Sequence, residues 1–126
     1  MALSGRQFEC IVVSVLAVNQ YPLVKAQALL PHLEREGITT VQRLRSMSLA
    51  EVIAALVAAG YDRKRLTWMF AERLKLLADS VAAGELDQLT QLLDQGAQAD
   101  GCALLVRLPG VGPHVATTAW TLMRLL

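Results

Sequence analysis

Apolar residues crowd together from Ile11 to Val18, interrupted only by Ser14, and on a helical wheel they point in nearly every direction. A helix that is apolar on all sides belongs in the middle of a protein, so the first predicted helix, from about Phe8 to Asn19, is expected to be central and buried. Pro22 suits the first turn of a second helix. Pro31, which has no amide to donate, is expected to kink that helix before Gly37 caps its end. Two capping-box patterns follow, Thr39 with Gln42 and Ser48 with Glu51, and the second opens a helix that stops at Gly60. From Asp62 to about Ala83, the residues Leu66, Phe70, Leu74, Leu77 and Val81 recur at three- and four-residue spacing and predict one buried stripe. Trp68 falls on the other side, among Lys64, Glu72 and Lys75, and a neighbouring helix is expected to cover so large a ring. Leu86, Leu89, Leu92 and Leu93 mark a further helix, and Gln95 to Gly101 reads as a polar linker. Asp100 is placed to cap a short helix through Arg107, and a last helix is predicted from Pro113 to Leu126.

Composition narrows this to one class. A chain of 126 residues with 54% apolar, 18% charged and only 5% aromatic residues folds around a single core, and its Leu and Ala content favours helices over a sandwich or barrel. The expected fold is all-α, one domain over residues 1–126, and a compact multi-helix bundle. No repeat of 30 to 40 residues recurs, which argues against a solenoid. The net charge of +1 argues on its own for neither a nucleic-acid partner nor an acidic substrate. Its distribution is less even: residues 61–78 hold five bases and two acids, residues 79–100 hold five acids and no base, and Arg107 and Arg124 follow. The two cysteines, Cys10 and Cys102, show no metal-ligand spacing, and neither His32 nor His114 has a partner in sequence, so no metal or cofactor is expected. Unpaired cysteines in apolar helical surroundings suit a reduced, intracellular setting. The apolar run near the start is far shorter than the roughly 20 residues that cross a bilayer, and it reads as a core helix rather than a signal peptide.

The segment Leu108-Pro109-Gly110-Val111-Gly112-Pro113 turns the chain sharply between two helices. Gly110 and Gly112 would permit positive φ and close backbone approach, Val111 would anchor the turn in the core, and Pro113 fits a first helical position. Amides at that helix start would face outward, with the positive end of the helix dipole behind them, and would seat a phosphate oxygen without any side-chain charge.

This segment, followed by Ala116, resembles the central motif of the helix-hairpin-helix (HhH-GPD) superfamily of base-excision-repair DNA glycosylases, most closely the endonuclease III branch. The resemblance extends over about Phe8 to Leu126 and includes the opening helix ending in Asn19-Gln20 and the Gly60-Tyr61 turn before a basic helix. It implies the family's central helical domain, a six-helix orthogonal barrel ending in the hairpin at about 100–126. It also implies double-stranded DNA as partner, abasic or damaged DNA included, in the cytoplasm or nucleoid. Gln20 matches the glutamine that fills the gap left by a flipped-out nucleotide. Leu108, Gly110, Val111, Gly112 and His114 match the hairpin, with Arg107 and Arg124 as additional expected DNA contacts. His114 stands where bifunctional members carry the lysine that forms a Schiff base with the sugar, and an imidazole has no primary amine for that step. The family's catalytic aspartate and the cysteines of its iron-sulfur cluster would lie beyond Leu126, so no catalytic residue and no cluster are expected in these residues.

Three functions follow as expectations. The first is a non-catalytic DNA-binding module that reads backbone shape. The second is a glycosylase completed by a partner chain, a second copy or a longer native frame, docking through Trp68 and the final helix with Trp120, Leu122, Met123, Leu125 and Leu126. The third is a helical protein-interaction domain without affinity for DNA.

Overall fold

A computed structural model of the chain describes residues 3–126. Every regular element is helical: the chain is 69% helix, with no strand among the described residues. The elements are α1 (Gly5–Leu16), α2 (Leu23–Ala28), α3 (Leu30–Arg35), α4 (Val41–Ser46), α5 (Leu49–Ala58), α6 (Arg65–Ala82), α7 (Leu89–Gln95), α8 (Gln98–Leu105) and α9 (Pro113–Arg124).

The apolar run becomes the central helix, as its pattern predicts: Ile11 through Leu16 are all buried. α1 ends three residues before the predicted Asn19 and begins earlier than predicted. Its start is a capping box in which Ser4 Oγ accepts from the Gln7 amide at 3.1 Å and Gln7 Oε1 accepts from the Ser4 amide at 2.9 Å. The predicted kink at Pro31 is a complete break: Leu29 ends α2 and precedes α3, because Pro31, in the first turn of α3, cannot donate back into α2. The Thr39–Gln42 box is corrected by one residue. Thr40 is the cap and accepts from the Arg43 amide, while Thr39 is buried. The Ser48–Glu51 box forms as predicted, and the Ser48 amide, followed by the Ser48 hydroxyl, holds the Glu51 carboxyl below its ordinary range.

α6 starts at Arg65 rather than Asp62, after a left-handed residue, Lys64, whose amide is held by Asp62 Oδ1. Phe70, Leu74 and Leu77 are buried as predicted, but Leu66 lies at the surface and Thr67 takes the inward position. The helix therefore begins its core stripe one residue later than the leucine spacing suggests. Trp68 is 62% exposed, beside Leu49, Ala50 and Ile53 of α5, so the expected covering helix is not there. Lys75, grouped with Trp68 by sequence, instead donates to the Leu44 and Met47 carbonyls at the end of α4 and ties α4 to α6.

The predicted linker at 95–101 shrinks to Gly96 and Ala97. Asp100 lies inside the first turn of α8 rather than capping it, and Gly101 is buried within that helix against Trp120. Trp120 and Met123, expected on a docking face, are core residues; Leu125 and Leu126 are exposed, and with Leu122 they edge a groove of about 240 Å³ against α1 and α3. The bundle has two parts: α1 packs on α9, α9 on α8 and α8 on α7, while α4 and α5 pack on α6, and α1 joins the parts through α6. No helix among the described residues is long and apolar enough to cross a membrane.

Candidate nucleic-acid interface

The turn between α8 and α9 is anchored by two buried side chains, Leu108 and Val111, and closed by the Val111 amide donating to the Leu108 carbonyl at 3.2 Å. Gly110 has φ +78°, which other residues adopt only at a cost. Gly112 departs from expectation: its φ of −89° and ψ of −178° are extended backbone that any residue tolerates. A Cβ there would meet nothing within 4 Å, so neither backbone conformation nor packing inside the chain calls for glycine at this position. Pro113 opens α9, and the first helical bond runs from the Ala116 amide to the Gly112 carbonyl at 3.0 Å. The amides of Gly110, Gly112 and His114 find no acceptor among the described residues, and all three residues are exposed. They sit at the positive end of a twelve-residue helix with no acid in its first turn.

Across from this turn lies the connection between α1 and α2. Asn19 and Gln20 are consecutive left-handed residues, with φ of +56° and +69°, a conformation that asparagine adopts readily but that glutamine keeps only when its surroundings hold it. Arg63 does so. One terminal nitrogen donates to the Val18 carbonyl at 2.7 Å and to the Tyr61 hydroxyl at 3.3 Å, and the other donates to the Asn19 carbonyl. Tyr61, fully buried, donates its own hydroxyl to the Leu16 carbonyl at 2.7 Å and so satisfies the frayed end of α1.

Aromatic rings continue the support. The Tyr21 ring packs on Tyr61 at 4.8 Å between centroids, and Tyr61 meets Phe70 edge-on at 5.6 Å. The Arg63 guanidinium carbon lies 5.5 Å from the Phe70 centroid and that of Arg73 also lies 5.5 Å from it. Arg73 in turn fills the space beside Gly110, where a Cβ would stand 2.7 Å from Arg73 Cδ. One chain of contacts, from Tyr21 through Tyr61 and Phe70 to Arg73, thus links the α1–α2 connection to the turn before α9.

Between them opens a cleft of about 370 Å³ lined by residues 17–22 and His114. Tertiary packing therefore brings Gln20 and His114, far apart in sequence, to one cleft. The lining has no carboxylate and no primary amine among the described residues. Arg107 is exposed on another side, where it lines hollows with Glu85, Gln88 and Asp100. Arg124 lies at the far end of α9, about 15 Å of helix from His114. There it donates to the Leu93 carbonyl at 3.0 Å, capping α7. The sequence reading thus named two arginines that stand away from the cleft and missed Arg63 and Arg73, which support it. The signal within reach was the Gly60-Tyr61 turn, whose position next to a basic stretch places Arg63 just before α6.

Burial pushes the Tyr61 hydroxyl up to about 12, only partly opposed by the Arg63 guanidinium. The unfolded chain releases that proton near 10. The contribution is therefore intact below pH 10 and is lost as pH rises toward 12, by an amount on the order of 2 kcal/mol. In urea titrations, the midpoint of the native protein should fall steeply between pH 10 and about 12. Tyr61→Phe should be less stable at pH 7 by about 1–2 kcal/mol, having left the Leu16 carbonyl without its donor, and should show a flatter alkaline slope. Equal slopes for the two proteins would show that Tyr61 is not the group responsible.

Among the described residues, no three His, Cys, Asp or Glu side chains are grouped to hold a metal ion. No family model, no curated protein and no solved structure matches the chain.

Proposed function

We propose that the chain is a helix-hairpin-helix module that binds double-stranded DNA by its backbone, with α8, the turn at 108–112 and α9 as the hairpin. The observation that carries this reading is the shared cleft: Gln20 on a held loop and His114 at the start of α9 face one opening beside three exposed amides without acceptors. Amides at a helix start bind phosphate oxygens without net positive charge, which reconciles DNA binding with a formal charge of +1. A long polar side chain at the cleft rim suits a gap in a duplex, where an opposite base is left with unpaired donors and acceptors. Binding is favoured over catalysis because the cleft lining supplies neither a carboxylate to activate water nor an amine to attack a sugar. The orthogonal six-helix arrangement of the resembling family belongs to the same proposal.

The test is a gel-shift series on one duplex with and without a single abasic site. Two to four phosphate contacts give a slope of log K against log salt of roughly −2 to −4, so a tenfold rise in salt weakens binding by roughly 100- to 10,000-fold. Denaturing gels should show no strand cleavage by the chain alone. Gln20→Ala should weaken binding to the abasic duplex more than to the intact one. Affinity that ignores salt, or no complex at low salt, would remove DNA from the function.

A further inference from the structure

The cleft depends on a piece of backbone that does not hold itself. Asn19 and Gln20 both adopt the left-handed region, which asparagine visits readily but which costs a glutamine about 1–2 kcal/mol. Neither belongs to a helix, and both are exposed. No side chain of the connection itself hydrogen-bonds the carbonyls of Val18 or Asn19; the donors come from Arg63, 44 and 45 residues further along the chain. A guanidinium is the group that fits this task, because its planar fork reaches two adjacent carbonyls at once while its face lies against rings. Arg63 uses both properties: it bridges two consecutive carbonyls and lies within 5.3, 5.8 and 5.5 Å of the Tyr21, Tyr61 and Phe70 ring centroids. It makes no ion pair with a carboxylate among the described residues, so its hydrogen bonds go to the loop and to Tyr61.

We infer that Arg63 is a positioning residue that presents Gln20 to the duplex, so that the preference for a gapped or abasic site resides in the Arg63–loop clasp as much as in Gln20 itself. The inference rests on the DNA-binding reading and adds to it the origin of the discrimination between damaged and intact duplex. Arg63 acts through the loop and touches no DNA in this assignment, since its fork is turned inward to the Val18 and Asn19 carbonyls. Loss of the clasp frees the strained Gln20 to relax, and it then reaches the gap only in a fraction of molecules, which lowers affinity by that fraction.

The experiment compares Arg63→Met, which keeps most of the packing but no donor, with Arg63→Lys, which keeps one compact cation, on the abasic and intact duplexes. Arg63→Met should reduce the ratio of abasic to intact affinity by about tenfold, and Arg63→Lys should recover part of it. Arg63→Met combined with Gln20→Ala should be no worse than Gln20→Ala alone, because both remove the same presentation. In the free protein, backbone 15N relaxation should show Asn19 and Gln20 becoming mobile in Arg63→Met while the helices stay ordered. That measurement needs no DNA and also verifies that the variant is folded.

Three outcomes overturn the inference. One is an unchanged affinity ratio in folded Arg63→Met. Another is an equal loss on both duplexes with the salt slope reduced by about one, which would make Arg63 a phosphate ligand instead. The third is a rigid Gln20 in Arg63→Met. If the native protein binds DNA with a steep salt slope but shows no abasic preference, this inference falls and the backbone-binding reading stands. If it binds no DNA at all, the reading itself has failed.

Discussion

Gly101→Ala should destabilise the protein by about 2 kcal/mol or more, although alanine is the better helix former by about 1 kcal/mol. The residue lies inside α8, where propensity alone favours the substitution. Packing decides against it: a Cβ at this position would stand 2.1 Å from Trp120 Cζ3 and 2.6 Å from Cε3. These are ring atoms of a tryptophan that is itself buried in the core, so no flexible chain end can swing away. Either α8 retreats from α9 or the indole leaves its place, and both forfeit contacts in a close-packed interior. For a domain of this size the expected loss corresponds to a fall in Tm of roughly 7 °C. In a Trp120→Leu background the penalty of Gly101→Ala should shrink, and that double-mutant coupling separates the clash from any general weakness of α8. A Tm equal to or above that of the native protein would mean that propensity wins and that the helices do not approach so closely.

The two glycines of the turn should separate stability from binding. Gly110→Val is expected to lose both: its φ of +78° is unfavourable for a β-branched residue, and its Cβ would press to 2.7 Å from Arg73 Cδ and 3.0 Å from Nε. About 2–4 kcal/mol of stability should go with it, together with the arrangement of the exposed amides. Gly112→Val should leave Tm nearly unchanged, within about 0.5 kcal/mol, because the backbone is extended and the space beside it is open. Yet it should weaken DNA binding by about tenfold or more, since the added methyls stand where a phosphate would approach the amides. Thermal melts and gel shifts on the same samples check both statements. Full binding by Gly112→Val would exclude those amides from the contact and with them the hairpin reading.

Local chemistry made much of the secondary structure legible. Ser48 and Glu51 cap α5 as their spacing demands, Pro113 starts α9, and Gly37 and Gly60 adopt the positive φ that helix ends favour. The Ser4–Gln7 box was equally readable in principle, since it obeys the same four-residue rule. The misreadings arose where two levels conflicted. Gln95 to Gly101 has the composition of a linker, but Gly101 lies within α8, and that helical position holds glycine because Trp120 occupies the volume that any other side chain would fill. Leu66 matches the leucine spacing, but α6 begins after a left-handed Lys64, and Thr67 is drawn inward, its hydroxyl accepting the Arg63 amide at 2.7 Å.

The candidate site divides along the same line. By itself the sequence determined an all-α chain, a buried first helix and a tight turn before α9, because these follow from periodicity, glycine and proline placement and short-range capping, while Gln20 and His114 stand out only through the resemblance of the hairpin and its preceding helices to a known family. Only the tertiary structure decided that Gln20 and His114 share one cleft, that Arg124 caps α7 instead of joining them, and that Arg63 and Arg73 support the opposite walls. The physical reason is range. A cap or a turn is satisfied within four or five residues, whereas a guanidinium finds carbonyls wherever packing brings them, and here they arrive from more than forty residues away.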